Sequence, residues 1–425
     1  MVLFLTIVSA AFLLFIYAAF RRSDTRNFDS FVSAWLLSLT AWPIIVIYCL
    51  APLIWSDAED VGATYALIVY APAALMSVAA TASGFLRPQI VVDRAAVLIA
   101  GLMVYGGVAM LFDGAGRYIN LGMAIILFLG FVFRGRSITI EQVGAAARLA
   151  LVITVASLLA IAVARPDQVI GGCRIDKCTD VGTALTSTFA GNGNLAGIMV
   201  TCLLPFAAYG VSLAQVIALV AGVGAMGVLA GSRTAFIGIG LAAVLVLLLS
   251  ANTPVQVRRA GLCIGVIGCL ALSLLPFYVG YSETDYSLRG FLWNEARRLI
   301  PDELVFGHNP VFWVDAGRSL LFKANYSPHN GWLEIVLSVG VFGAVVIVLA
   351  AIIKIRDVQP PAREYLVVYF CTILCVSSLE AIYVPYFLGI APFAAMLPFL
   401  VFNEGPRVMP VESSDVGPAV IKENV

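Results

Sequence analysis

The sequence predicts an all-α polytopic membrane protein with about 12–14 transmembrane helices. Three observations predict it. The 425 residues are 61% hydrophobic and only 12% charged, roughly half the charged share of a soluble domain. The mean hydropathy is +0.99. Apolar runs near the ~20 residues that a bilayer crossing needs recur along almost the whole chain. The formal net charge of zero offers no electrostatic footprint for nucleic acid, which is not expected as a partner.

In order, the runs are residues 2–20, 31–54, 62–85, 95–112, 117–133, 145–164, 193–210, 213–230, 235–250, 260–279, 331–353, 365–383 and 387–402. The first begins at Val2 without a basic leader, so it reads as a retained span rather than a cleaved signal. The last two are parted only by the break at Val384-Pro385, so the expected helix number is a range. Together the runs make one membrane domain over 1–402, followed by a polar tail over 403–425. The connections 165–192 and 280–330 are long enough to be true loops.

Basic residues orient the chain. One set of alternate connections holds 15 of the 25 Lys and Arg residues, among them Arg21, Arg94, Arg134, Arg258 and Lys354. The other set holds five once the long loop 280–330 is set aside. Lys and Arg in short loops mark the cytoplasmic side, so the first set and the tail are expected inside. Arg233 and the loops 165–192 and 280–330 are then outside, with the N-terminus. Cys173 and Cys178 share the first outer loop, where they form either a disulfide or two free thiols. The other six cysteines fall in apolar runs and read as small packing residues.

Polar groups in a bilayer are costly and tend to be functional, and here they gather on the outer side. Arg233 lies in LAGSRTAFIGIG, where Gly231-Ser232-Arg233-Thr234 joins two runs in a turn too short to leave the interface. Thr186, Ser187, Asn192 and Asn194 precede the seventh run, with glycines that let backbone N–H groups approach a ligand. In SLRGFLWNEARRLIPDE, Arg289, Trp293 and Arg297 share one face of an amphipathic helix, beside Arg298. Such arginines suit planar, bidentate contacts to phosphate oxygens. His329 is one of only two histidines. It stands in SPHNGWLEIV, followed by Asn330 as a helix cap and by Glu334 just inside the span. A neutral imidazole there accepts a proton near pH 7, and a nearby carboxylate, with Glu380 also at the outer end of its run, can fix its tautomer. His308, in FGHNPVFW, reads as structural. Each feature also has a plainer reading as an interfacial anchor, a cap or a loop residue.

Four stretches in order, AGNGNLAGIMV, LAGSRTAFIGIGLAAVLVLL, SLRGFLWNEARRLI leading to VFGHNP, and SPHNGWLEIVLSVGVFG, resemble the O-antigen ligase and exopolysaccharide polymerase family of bacterial inner-membrane proteins. The resemblance covers roughly residues 186–348. It implies a helical membrane glycosyltransferase of the GT-C type, with its site and the loops 165–192 and 280–330 in the periplasm. It implies transfer of a glycan from undecaprenyl diphosphate to an acceptor hydroxyl on another glycan or on lipid A-core, with inversion and with no metal or cofactor. Other polysaccharide assembly proteins would be partners. Matched by motif, Arg233 and Arg289 would hold the diphosphate and His329 would act at the acceptor hydroxyl. Arg297, Arg298, Trp293, Asn330, Glu334, Asn192 and Asn194 are added from their placement as substrate-binding candidates. Two other classes compete: a transporter or flippase, expected to place ionisable groups near mid-membrane, and a non-catalytic scaffold of an export complex.

Overall fold

The computed structural model describes residues 1–20, 27–55, 62–87, 92–112, 118–172, 181–187, 189, 193–251, 253–313, 327–380, 382 and 395–402. Asn192, Cys173, Cys178 and the tail 403–425 lie outside the described residues.

The chain is an all-α bundle of membrane-crossing length. Its helices are α1 (Val2–Ala19), α2 (Ser30–Leu39), α3 (Ala41–Ile54), α4 (Gly62–Phe85), α5 (Arg94–Phe112), α6 (Tyr118–Val132), α7 (Ile140–Ala164), α8 (Asn194–Ala207), α9 (Leu213–Ala230), α10 (Arg233–Ser250), α11 (Val255–Tyr278), α12 (Asp285–Leu299), α13 (Gly331–Asp357) and α14 (Ala362–Ser377). Among the described residues eight are long and apolar enough to cross a bilayer, and the bent pair α2–α3 makes a ninth. The helices α6, α8 and α14 are shorter and pack among them. Among the described residues β1 (Ile170–Gly172) pairs antiparallel with β2 (Thr183–Leu185) in a two-stranded sheet.

Local chemistry explains the breaks. α2 and α3 meet at 45° at Thr40. Pro43 lacks an N–H, and its ring opposes the carbonyl four residues back, at Leu39, so a straight helix cannot pass. α7 and α9 open on full capping boxes, Thr139 with Gln142 and Ser212 with Gln215, which satisfy the first free amides. α9 ends on Gly231 in the left-handed region (φ 61°), and Ser232 caps α10 through the amide of Ala235 at 3.1 Å.

The interior is mostly apolar, and among the described residues a buried ionic cluster lies at the end where α5 begins and α13 finishes. Asp93 caps α5, its Oδ1 accepting from the amides of Ala95 and Ala96. Its Oδ2 accepts from Arg134 Nη2 at 2.9 Å and from Lys354 Nζ at 2.5 Å. All three side chains are buried. Arg134 also donates to the carbonyls of Phe131 and Leu400, and lies 4.6 Å above the ring of Phe402. The cluster ties α5, the end of α6, α13 and the segment 395–402 together. Burial acts to raise the Asp93 carboxyl, but the charges of Lys354 and Arg134 outweigh it and hold the group below the usual carboxylate range. Burial lowers the Arg134 guanidinium to about 10, still charged at neutral pH.

Candidate active site

At the opposite end of α13 the chain spends backbone strain. Among the described residues three non-glycine positions have left-handed φ: Tyr286 (52°), Leu288 (71°) and His329 (52°). Such conformations cost of order 1–3 kcal/mol each and cluster where surrounding structure enforces a special geometry. Two lie within three residues before Arg289, and the third is the histidine.

Asn330 holds the histidine in place. Its Oδ1 caps α13 by accepting from the amide of Leu333 at 2.9 Å. Its Nδ2 donates to the carbonyls of Ser273, on α11, and Ser378, just past α14, both at 3.1 Å. The side chain is fully buried, so Asn330 is a structural cornerstone rather than a group offered to a ligand. Next to it, the His329 amide donates to Ser327 Oγ at 3.2 Å, and the turned backbone directs the imidazole to Glu380.

Glu380 is the hub. Its Oε2 is 2.9 Å from His329 Nδ1. Its Oε1 accepts from Arg289 Nη2 at 2.6 Å and from Asn194 Nδ2 at 3.4 Å. With Nδ1 donating to a carboxylate, Nε2 is the basic nitrogen of His329. The Arg289 Nε is buried and makes no hydrogen bond among the described residues. Arg289 and His329 side chains remain 15% and 16% exposed, which leaves both reachable.

Arg233 joins through the backbone. It is the exposed first residue of α10. A Cβ on Gly193, the N-cap of α8, would lie 2.5 Å from the Ala230 carbonyl oxygen, so the α9–α10 turn rests against the start of α8. The next residue is Asn194, which touches Glu380. Two arginines, one carboxylate and one histidine thus share one end of the bundle, with an excess of positive charge.

The remaining candidates separate. Trp293 is 2% exposed and packs with Leu292, Ile300, Leu333 and Leu337, its ring edge-on to Tyr281 at 4.7 Å. Arg297 donates to the Val279 carbonyl at 2.9 Å and to Asn294, binding α12 to the end of α11. Arg298 is exposed and pairs with Glu295 at 2.8 Å on its own helix. Glu334 is buried beside Ser338, whose hydroxyl donates to it at 3.3 Å, and its Oε2 has no hydrogen-bond partner among the described residues. The carboxylate that orients His329 is therefore Glu380, 51 residues further along, and not Glu334 one turn away. His308 is structural: its Nε2 meets the Leu299 carbonyl at 3.0 Å and its ring stacks on Phe312.

Residues 217–348 match the family described as O-antigen ligase. This stretch, under a third of the chain, is similar to that family. It holds Arg233, Arg289 and His329, while Asn194 and Glu380 lie outside it. No curated protein matches the chain. The similarity supports glycan ligation or polymerisation at a membrane. The matched segment supplies both arms of the site, and the residues just past α14 supply the carboxylate that joins them.

Proposed function

We propose that this protein transfers a glycan from undecaprenyl diphosphate to an acceptor hydroxyl at the periplasmic face of the inner membrane, as a polysaccharide polymerase or an O-antigen ligase. The observation that carries the reading is the Arg289–Glu380–His329 bridge beside Arg233. In the proposed step the acceptor oxygen bonds to the anomeric carbon as the bond from that carbon to the diphosphate oxygen breaks. The diphosphate leaves with the electron pair, and His329 Nε2 takes the hydroxyl proton. The displacement is in line and inverts the anomeric centre. Arg289 and Arg233 neutralise the charge growing on the leaving group, often the largest catalytic term. Glu380 orients His329 and stabilises the imidazolium that forms.

A lipid carrier also fits the surroundings. An apolar cavity of about 310 Å³ lies between α11, α13, α14 and the segment 395–399, with Trp332, two residues past Asn330, in its wall. Its walls include Leu270, Val348, Ile352 and Leu374. Val348 and Ile352 are each 40% exposed, so the cavity opens to the lipid side and can receive a polyprenyl chain whose diphosphate lies at the arginines.

The test is complementation of a deletion strain with wild type and His329→Ala at equal membrane levels, with surface and carrier-linked glycans resolved on a gel. Loss of the base is expected to lower transfer by about 10²–10⁴-fold. Single repeat units left on the carrier would identify a polymerase, and long chains left on it a ligase. Wild-type surface glycan from His329→Ala would overturn the reading.

A further inference from the structure

The helix that begins just after His329 is broken about a third of the way along, and the break is filled by the loop that follows α12. Gly340 has φ 67° and ψ −173°, far from helical values, so α13 consists of a short buried half before it and a longer half after it. A break frees backbone groups, which at membrane depth must find partners. The turn after the short 3-10 helix Ile300–Glu303 supplies them. Val341 N donates to the Leu304 carbonyl at 3.0 Å, Phe342 N to the Val305 carbonyl at 3.1 Å, and His308 N to the Leu337 carbonyl at 2.8 Å. Gly307, with φ 72°, faces Gly340. A Cβ on Gly340 would collide with the Val305 carbonyl, and one on Gly307 would sit 2.5 Å from the Gly340 nitrogen. Tyr105 on α5 donates to the Phe306 carbonyl at 2.8 Å and holds the turn from outside.

We infer that Gly307 and Gly340 are positioning residues: they lock the arm bearing Arg289 to the arm bearing His329 at a fixed spacing. The inference rests on the functional reading above for its consequence, but its geometry stands alone. From Arg289 the chain runs along α12 to the turn. From the turn the lock leads into the short half of α13 and back to His329. Glu380 closes the circuit between the two side chains. The spacing of a phosphate-binding arginine and a base is thus set at two places, by a carboxylate at the site and by backbone hydrogen bonds a helix half away. Side-chain bridges loosen when a ligand competes for them, whereas the backbone lock does not face the ligand. A displacement of about 1 Å between reacting groups can cost about 10²-fold in rate.

The experiment is hydrogen exchange of the full-length protein in detergent, comparing wild type, Gly340→Ala and the milder Tyr105→Phe, beside transfer in the complemented strain. With the lock opened, the amides of His308, Val341 and Phe342 should exchange at least about tenfold faster. Peptides 286–292 and 327–336 should loosen with them while α7–α10 stay protected. Transfer should fall about 10²-fold in Gly340→Ala, and less than multiplicatively when combined with Glu380→Gln, because both changes release one geometry. Unchanged exchange over 286–292 and 327–336 with an open lock would overturn the inference, as would lock amides that never open or losses that multiply. Should Gly340→Ala fail to fold, Tyr105→Phe carries the same measurement. A failure of the glycosyltransferase reading shows separately, as full transfer by His329→Ala, and the exchange result still decides the lock.

Discussion

Glu380 receives a hydrogen bond from each of three segments far apart in the chain, at Asn194, Arg289 and His329. Its two oxygens divide the work, one for the guanidinium and the Asn194 amide, the other for the imidazole. Glu380→Gln keeps the shape but removes the charge that stabilises an imidazolium and fixes its tautomer. Transfer should drop about 10²-fold or more at unchanged membrane level, and a Gln variant with full transfer would remove Glu380 from the mechanism. Arg289→Lys keeps the charge but loses the planar fork and the Nε donor. A loss of at least about tenfold is expected, read as carrier-linked glycan accumulating on a gel, and wild-type gels would mean that Arg289 acts as a point charge alone. Arg233, Arg289 and His329 are legible in the sequence because a cation or imidazole at the edge of an apolar run is conspicuous. Their pairing is not legible. Sequence proximity favours Glu334 as the partner of His329, yet a helix directs residue 334 into the core, and the partner comes from beyond α14.

Elements present the same contrast. Among the described residues nine of the thirteen apolar runs give spans, one of them bent, while the runs 117–133, 193–210 and 365–383 give shorter helices; the caps at Ser232 and Asn330 follow from residue type. The break at Gly340 is hidden, because residues 331–353 form an unbroken apolar run and glycine is common in membrane helices. The fate of α12 is only partly visible: its spacing puts Arg289, Trp293 and Arg297 on one face, but packing against α13 buries Trp293 and ties Arg297 to the Val279 carbonyl. Asn330 is the element-scale determinant of the site, since one side chain starts α13 and joins it to the ends of α11 and α14. Asn330→Ala removes a cap worth about 1 kcal/mol. It also leaves two buried carbonyls unpaired at about 1–3 kcal/mol each. A lowered melting temperature in detergent should accompany lost transfer. Asn330→Asp should recover the cap but not the two donated bonds, and so fall between. Equal melting of all three proteins would show that the cap carries no stability.

At the scale of the whole molecule the structure has two unlike ends: a site end with Arg233, Arg289, His329 and Glu380, and an end with Asp93, Arg134 and Lys354. The second cluster is not legible as a cluster, because its members are 41 and 220 residues apart and each alone looks like a flanking interfacial charge. In the fold they are buried with one carboxylate between two cations, and they fasten the segment 395–402 to the bundle. Removing the carboxylate strands two cations, whereas removing Lys354 leaves a neutral pair. Asp93→Asn should therefore cost about 3–5 kcal/mol, the usual penalty for an orphaned buried charge, and Lys354→Met distinctly less. The folded-state Asp93 carboxyl lies below its unfolded value of about 3.9, so the folded protein binds fewer protons there than the unfolded chain. That stability is fully present above the unfolded value and is lost as pH falls through the folded one. Melting curves of wild type and Asp93→Asn should stand apart at pH 7 and converge as the pH is taken down through that window. Curves that keep their separation at the acid end would mean that the Asp93 charge is not what holds this end of the bundle together.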